Sequence, residues 1–301
     1  MLLDVSLRRF VIAAIVAAAA CAPAACTLLN PLDGFDDGAS SDDGAAATDT
    51  NVSTSDSPTN PDVLTEAATD GGVDAAPSRY AAAVLEDAPL FYYRFGETNA
   101  APARDEISGK TTAYSAGGVA FGAPGALAAD PNTAITLDGV GQLSLSHPSE
   151  FDGLAPFSVE AWVSPSPNGN TLGLLVDHET WSGGRKGWLL RASRVDIGFE
   201  RWDGVSTNNS TATAQAAAMG EWHHIVGTFD GTTNRLYVDS VRRDTGVVNL
   251  ALPKSGLPFS VGKQNCSPCT GVGFVGVLDE LAVYGKALPE ARITAHFMAA
   301  K

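Results

Sequence analysis

Residues 220–241 read GEWHHIVGTFDGTTNRLYVDSV and contain a tryptophan, two adjacent histidines and two aspartates. The runs WHHIVGTF and RLYVD are rich in apolar, β-branched and aromatic residues, which favours two strands. The segment DGTTN (230–234) between them is typical of a turn, and Gly231 supplies the dihedral freedom that such a turn requires. The stretch therefore predicts a β-hairpin.

His223 and His224 resemble zinc ligands at first sight. On a strand, however, adjacent side chains lie on opposite faces of the sheet, so the two imidazoles cannot easily share one ion. A zinc-protease helix would need two histidines four residues apart with a glutamate between them, and here Glu221 precedes both. We interpret them as strand histidines that bind the backbone or neighbouring side chains.

The same strand pattern continues on both sides of this hairpin, from residue 79 to the end of the chain. Short β-branched and aromatic runs alternate with Gly, Pro, Asn and Asp. Candidate strands cover 90–95, 134–139, 157–164, 172–178, 187–192, 195–202, 222–229, 235–239, 258–262 and 273–284. One helical pattern occurs, at 288–297, with a proline near its start. Many strands and one short C-terminal helix predict an all-β antiparallel sandwich for 79–301.

The first 26 residues predict an export signal. Arg8 and Arg9 precede an uncharged apolar run that is too short to span a membrane and ends in small residues. Four alanines lead into Cys21, as in the bacterial lipobox, whose cysteine is lipidated; Cys26 is the alternative. Cleavage after the APA of 22–24, without lipidation, remains the competing interpretation. Several acyl chains on one cysteine would anchor the protein stably.

Residues 27–78 predict a disordered acidic linker. The segment holds ten Asp and one Glu with no Lys or Arg, and it contains almost no aromatic residues. Such a composition cannot bury enough apolar surface to offset the ordering entropy. The segment accounts for most of the formal net charge of −15. Since no basic patch occurs, nucleic acid is excluded as a partner, and the membrane is contacted through the lipid anchor only.

Cys266 and Cys269 form a CxxC pair between two candidate strands. Structural zinc would need two further ligands, and no second such pair lies nearby. A thioredoxin-like site would place the pair at the start of a helix, which the surrounding Pro and Gly do not favour. In an exported protein we expect a small loop disulfide.

The sequence does not favour an enzyme. A retaining glycoside hydrolase needs two carboxylates about 5–5.5 Å apart. The nearest candidates, Asp279 and Glu280, are adjacent on a predicted strand and should point to opposite faces. A nucleophile elbow and a phosphate-binding loop are also missing from the sequence. A divergent glycoside hydrolase is the least favoured hypothesis.

Four stretches taken in order resemble one family: YYRFGE (92–97), FSVEAWVSP (157–165), GEWHHIVGTFDGTTNRLYVDS (220–240) and FVGVLDELAVYGKALPEARI (274–293). They are similar to the laminin-G-like jelly-roll domains of the concanavalin A-like lectin and glucanase fold. The resemblance implies two antiparallel sheets, glycan or protein binding at the sheet edge or the concave face, and a structural calcium ion. It makes Asp138 and Asp279 candidate metal ligands, although turn-capping or hydrogen-bonded aspartates are equally consistent. Relatives generally have Val-Asp-Gly where this chain has Ser240, which should change the local geometry of that turn.

We therefore expect an exported, lipid-anchored protein of the bacterial outer membrane, cell surface or periplasm. Its jelly-roll domain is predicted to be a non-catalytic binding module, with glycan or polysaccharide as the first ligand class. A protein–protein adhesion or envelope-assembly module is the alternative. Trp181 and Trp202 are the first candidates for glycan contact because they flank glycine-rich turns. Trp162 is a further candidate, on the face of its strand opposite the core, where it either packs against a neighbour or stacks on a sugar.

Overall fold

The computed structural model describes residues 78–169, 171, 173–180, 184–205, 209–215, 217–247, 250–254, 258–264 and 273–301. All of these residues belong to the compact unit Asp70–Lys301. The predicted signal segment, most of the predicted linker and all four cysteines lie outside the described residues.

Sixteen strands and two α-helices make up the described part of the chain. The first half contains α1 (Arg79–Glu86), β1 (Phe91–Tyr93), β2 (Ala103–Arg104), β3 (Thr111–Thr112), β4 (Val119–Pro124), β5 (Thr133–Asp138), β6 (Leu143–Leu145), a 3-10 helix (Ser149–Phe151), β7 (Phe157–Pro165) and β8 (Val176–Thr180). The second half contains β9 (Lys186–Ala192), β10 (Asp196–Asp203), β11 (Asn209–Gln215), β12 (His223–Phe229), β13 (Thr233–Val238), β14 (Val241–Val247), β15 (Phe259–Val261), β16 (Val275–Tyr284) and α2 (Glu290–Ala299).

The strands form two large antiparallel sheets. An eight-stranded sheet has the order β14-β13-β12-β7-β16-β5-β4, with β1 pairing β16 as well. A six-stranded sheet has the order β11-β10-β9-β8-β15-β6, and β2 and β3 form a small ribbon. Non-consecutive strands such as β7 and β16 are neighbours, as expected of a jelly roll. The predicted all-β sandwich with a C-terminal helix is confirmed.

The main core lies between the two large sheets. On β7, Phe157, Val159, Ala161 and Val163 face this core, as their alternation predicts. Gly227 on β12 and Phe199 on β10 meet across it, and a Cβ atom on Gly227 would lie 2.6 Å from the Phe199 ring. A glycine is therefore required there for the two sheets to approach.

A second buried layer covers the outer face of the eight-stranded sheet. The helices α1 and α2 pack on this face, and the layer contains Tyr80, Trp162, Tyr284 and Ile293. Helix α1 was not predicted, because eight residues are too few to show a clear helical period, even though alanine itself favours a helix. It is stabilised by docking of Tyr80, Ala81 and Val84, and by the Ser78 hydroxyl, which accepts a hydrogen bond from the Ala81 amide at 3.2 Å. Within the described residues, neither helix is long and apolar enough to cross a membrane.

The hairpin predicted at 222–239 is confirmed as β12 and β13, with Gly231 at φ +99° in the connecting turn. His223 and His224 point to opposite faces: His223 contacts Asp239, whereas His224 is fully buried and its Nε2 lies 3.1 Å from Glu160. The next turn, between β13 and β14, places Asp239 at φ +53° and Ser240 at φ +65°. Both residues are left-handed, which matches a two-residue type I′ turn.

Candidate functional site

The outer face of the six-stranded sheet carries an unusual set of polar side chains. On β9, Leu190 and Ala192 face the main core, so Arg191 between them faces outward. On β10, Ile197 and Phe199 face the core in the same way. Alternation therefore places Glu200 and Trp202 on the outer face, next to Arg191.

A buried ion-pair network forms the base of this face. The Arg191 Nε donates to Glu200 Oε1 at 2.8 Å, and its Nη1 donates to Asp196. Both Arg191 and Glu200 are less than 8% exposed. Gly198 lies beneath the guanidinium, since a Cβ atom there would be 2.9 Å from Arg191 Nε. The glycine makes room for the arginine to lie flat on the sheet.

Trp202 lies at the edge of this network and is partly exposed. Its Nε1 donates to Glu200 Oε2 at 3.1 Å. The Arg185 guanidinium carbon lies 4.0 Å from the centroid of the indole ring, in cation–π geometry, and Arg185 Nη2 is 3.7 Å from Glu200 Oε2. The ring is thus held in a fixed orientation by one carboxylate and one guanidinium. We call Arg185, Arg191, Glu200 and Trp202 the Trp202 surface.

The guanidinium of Arg191 is stabilised in its charged form. Burial alone would lower the pKa of Arg191, but its hydrogen bonds with Asp196 and its attraction to Glu200 raise that pKa above the ordinary value. The guanidinium is therefore permanently charged. A fixed cation, a fixed carboxylate and an oriented aromatic ring together are suited to binding a polar ligand that also has an apolar face.

The three candidate tryptophans differ in where they lie in the structure. Trp202 is partly exposed on the outer face of the six-stranded sheet, as a binding role requires. Trp162 is instead buried, at 1% exposed, and contacts the rings of both His224 and Phe297, with ring centroids 5.2 and 5.8 Å away. The packing interpretation holds for Trp162, and its proposed role as a sugar platform is wrong in this structure. Trp181 lies outside the described residues.

The two candidate calcium ligands lie apart. Asp138 pairs with Val275 on β16, and Asp279 is four residues further along that strand, about 13 Å away. Asp138 Oδ1 accepts from the amides of Val140 and Gly141, at 2.8 and 3.3 Å. Asp279 is fully buried and accepts from the Ala126 amide at 2.9 Å. Across the described residues, no three His, Cys, Asp or Glu side chains are grouped to hold a metal ion. Calcium binding stays a prediction.

The expectation that Asp279 and Glu280 point to opposite faces is wrong. A β-bulge interrupts β16 here: Asp279 pairs with Trp162, whereas Ala282 pairs with Glu160. Glu280 adopts φ +51°, and both carboxylates lie under the helical layer near Arg94. Burial raises the pKa of each, and the Glu280 charge adds to the effect on Asp279. Neither carboxylate is exposed, so the pair is not available to a substrate in this conformation.

The lipidation candidates Cys21 and Cys26 and the disulfide candidates Cys266 and Cys269 lie outside the described residues. Those two assignments therefore stay predictions.

Sequence reasoning missed the partners of Trp202. The signal for Glu200 was present, because Glu200 and Trp202 alternate on one predicted strand. Arg191 could not be found in this way, since its position beside Glu200 depends on the pairing of Glu200 with Leu189. Arg185 precedes β9 and comes close to Trp202 only through that pairing.

Comparison with known proteins agrees with this architecture. The family model of the concanavalin A-like lectin/glucanases superfamily matches residues 137–294, more than half of the chain. No curated protein matches. Similar solved structures include the binding domain of Paraclostridial Mosquitocidal Protein 1 (TM-score 0.55, 17% identity, 71% of this chain and 52% of that one).

The binding domain of botulinum neurotoxin DC is similar too. Its complex with SialylT has a TM-score of 0.52 at 11% identity, over 72% of this chain and 52% of that one. Its complex with rat synaptotagmin II has a TM-score of 0.52 at 13% identity, over 71% and 52%. The chain spans about half the length of each structure, and at such identities the likeness concerns the fold. From the family match and the two-sheet sandwich together, the chain belongs to the concanavalin A-like lectin/glucanase superfamily.

Proposed function

We propose that this protein is an exported, lipid-anchored binding protein whose jelly-roll domain holds a glycan at the Trp202 surface without catalysis. The observation that carries the proposal is the fixed indole ring of Trp202 on the sheet face that lies opposite the helical layer. Its ring is oriented by Glu200 and Arg185 before any ligand arrives. Pre-organisation of this kind lowers the entropy cost of binding.

The chemistry of the surface suits a sugar. A pyranose ring has an apolar C–H face that can stack on an indole, and hydroxyl groups that both donate and accept hydrogen bonds. The guanidinium of Arg185, whose side chain is 22% exposed, can donate to a hydroxyl. Both oxygens of the buried Glu200 are already engaged, by Arg191 and by Trp202, so Glu200 orients the ring and leaves ligand contact to Arg185. Polar groups that flank an aromatic platform set the orientation of the ligand and so its identity.

Two further observations support a binding role. Similar solved structures are binding domains, and they include one complex with SialylT and one with a protein, rat synaptotagmin II. In addition, the carboxylates that the bulge in β16 brings together, Asp279 and Glu280, are buried beneath the helices and do not reach the Trp202 surface. Both features favour binding over hydrolysis.

The proposal is tested on the full-length mature protein with a glycan array, with and without calcium, followed by titration calorimetry on the best ligand. Trp202→Ala should weaken binding about tenfold or more, since stacking and an oriented hydrogen bond are lost together. Trp222→Ala is the matched control, because Trp222 packs against the helical layer on the opposite side of the sandwich. Retained binding by Trp202→Ala, or absence of any glycan ligand, contradicts the proposal. A co-purifying protein that survives glycosidase treatment would favour the adhesion or assembly alternative.

The anchor is tested separately. Metabolic labelling with a fatty acid should mark the wild-type protein and the Cys26→Ser variant but not Cys21→Ser. Labelling that is lost only in Cys26→Ser would move the anchor to the alternative cysteine. An unlabelled wild-type protein would favour simple secretory cleavage.

A further inference from the structure

A pocket of about 470 Å³ lies at the end of the sandwich where β11 leads towards β12 and the β13–β14 hairpin turns. Small apolar side chains form part of its wall and polar ones the rest. The lining comprises Ala214, Gln215, Ala217, Ala218, His223, Val238, Asp239 and Arg243. Small-molecule sites have volumes of about 300–1,000 Å³ and combine an apolar wall with a few polar groups. The pocket therefore has the size and composition of a ligand site.

His223 and Asp239 form a fixed ion pair within this pocket. His223 Nδ1 lies 2.8 Å from Asp239 Oδ2, and its Nε2 lies 3.2 Å from the carbonyl oxygen of Ala218. Since both ring nitrogens face acceptors, the imidazole donates from both and is positively charged. The hydrogen bond with Asp239 raises the pKa of His223 accordingly. Asp239 Oδ1 accepts from the His224 amide at 3.0 Å. Both nitrogens of His223 and both carboxylate oxygens of Asp239 thus have hydrogen-bond partners, and the opposite charges of the two side chains cancel.

Arg243 is the third charged residue of the pocket lining, and it gives the pocket a net positive charge. Leu236 pairs with Asp244 and Tyr237 with Arg242, so Arg243 is the extra residue of a β-bulge on the edge strand β14. Bulges of this kind re-aim a side chain, and here the side chain lines the pocket. Arg243 is exposed and has no hydrogen-bond or ion-pair partner among the residues that the structure describes. The neighbouring Asp244 is already engaged, with Oδ2 2.7 Å from the Thr213 amide.

We propose that this pocket is a second ligand site and that it binds a saccharide bearing a carboxylate group. A guanidinium binds a carboxylate through two parallel hydrogen bonds, which Arg243 is free to make. The Gln215 amide both donates and accepts, as sugar hydroxyls require, and the alanine wall accommodates the apolar face of the ring. Glu221 acts on His223 electrostatically but is not part of the lining, so it does not neutralise Arg243 there.

The pocket is separate from the Trp202 surface. Trp202 pairs with Asn209 at the start of β11, whereas Gln215 ends that strand, about 20 Å away. The two sites can therefore be tested independently, and failure of one does not imply failure of the other.

The test uses titration calorimetry on the full-length mature protein. The probes are glucuronic acid and a galacturonic acid trisaccharide, with glucose and the neutral galactose trisaccharide as matched ligands. We expect the acidic sugars to bind at least about tenfold more tightly than the neutral ones. Arg243→Ala should remove this preference, and Arg243→Lys should restore it only in part because the bidentate geometry is lost.

Arg242→Ala is the matched control, because Arg242 is an exposed neighbour on β14 that does not line the pocket. It should leave the Kd within about twofold, as should Trp202→Ala. Equal losses in Arg242→Ala and Arg243→Ala would overturn the proposal in favour of non-specific charge attraction. Loss of acidic-sugar binding in Trp202→Ala would overturn the independence of the two sites. Inorganic phosphate or sulfate that competes as tightly as glucuronic acid would show an anion site without sugar recognition.

Discussion

The imidazole of His296 joins two carboxylates beneath the C-terminal helix. Its Nδ1 lies 3.1 Å from both oxygens of Glu160, and its Nε2 lies 3.0 Å from Asp87. His296 and Glu160 are fully buried. Because each nitrogen faces a carboxylate, the ring is charged and binds β7 to α2 and to the residue that follows α1. Glu160 also accepts from His224 and from the Tyr284 hydroxyl. This network attaches both helices to the sheet.

We expect Glu160→Gln to lower the free energy of unfolding by about 3–5 kcal/mol, because it removes one partner of a buried charge network and leaves His296 uncompensated on that side. Urea unfolding followed by fluorescence measures the change. Glu106→Gln, at an exposed position, is the control and should stay within about 0.5 kcal/mol of wild type. Similar stabilities for the two variants would mean that the network does not hold the helices.

The network predicts how stability depends on pH. Burial alone would lower the pKa of His296, but the Glu160 carboxylate raises it, so this contribution is complete below pH 6.5 and is lost as pH rises through the raised value. Burial alone would raise the pKa of Glu160, but the charge of His296 holds it below 4.5. That contribution is therefore present above pH 4.5 and is lost in acid.

The buried carboxylates Asp279 and Glu280 change the pH dependence of stability in the same direction as His296. Burial raises their pKa values, so their contribution to stability is also lost as pH rises. In urea unfolding between pH 4 and 9, the free energy of unfolding should decline as pH rises above about pH 5. The decline should be shallower in His296→Gln. A free energy of unfolding that rises from pH 6 to 9 would contradict these assignments.

Ser240→Gly is expected to stabilise the protein. Ser240 has φ +65°, and a left-handed conformation costs an L-residue with a Cβ atom about 1–2 kcal/mol. Glycine avoids that cost but is more flexible when unfolded, which leaves a net gain of about 0.5–1 kcal/mol. Thermal unfolding should show a higher Tm. Asp239→Gly, in the same turn, should be destabilising because Asp239 binds His223 and the His224 amide. A lower Tm for Ser240→Gly would mean that the serine side chain stabilises this turn.

Gly227→Ala should destabilise the core by about 1–3 kcal/mol, because the new Cβ atom would lie 2.6 Å from the ring of Phe199. A smaller residue at the partner position should relieve the clash, so Gly227→Ala combined with Phe199→Leu should cost less than the sum of the two single changes. A double-mutant cycle based on urea unfolding measures this coupling. Strict additivity would show that the two residues do not limit the approach of the sheets.

Much of the fold could be predicted because burial imposes a period of two on most strands. The strands around Trp162, Phe199 and Ile225 were predicted within about two residues of their ends. Six strands were missed. Strands β2, β3 and β6 are short, β4 contains glycine and proline, β11 is rich in Ala and Thr, and β14 carries Arg242, Arg243 and Asp244. Their strand conformation comes from pairing with neighbours, which overrides the propensity of their residues.

The candidate site, like the fold, could be predicted only in part from local sequence patterns. Trp202 could be singled out because it precedes a glycine-rich turn, but its partners depend on the register between β9 and β10. Side chains do not alternate at the bulge around Glu280, because one extra residue places two consecutive side chains on one face. The strand period therefore gave the wrong prediction there. Local patterns therefore indicate which residues are unusual, whereas pairing between strands decides which of them meet.

The first and last helices of the described chain lie together on the eight-stranded sheet, where Arg292 of α2 donates to the carbonyl oxygen of Ala83 in α1 at 3.2 Å. Ser78 and Lys301, the first and last described residues, thus lie on the same side of the sandwich, and the Trp202 surface lies on the other. If the Trp202 surface binds a ligand as proposed, that ligand approaches from the side of the sandwich that is remote from both Ser78 and Lys301.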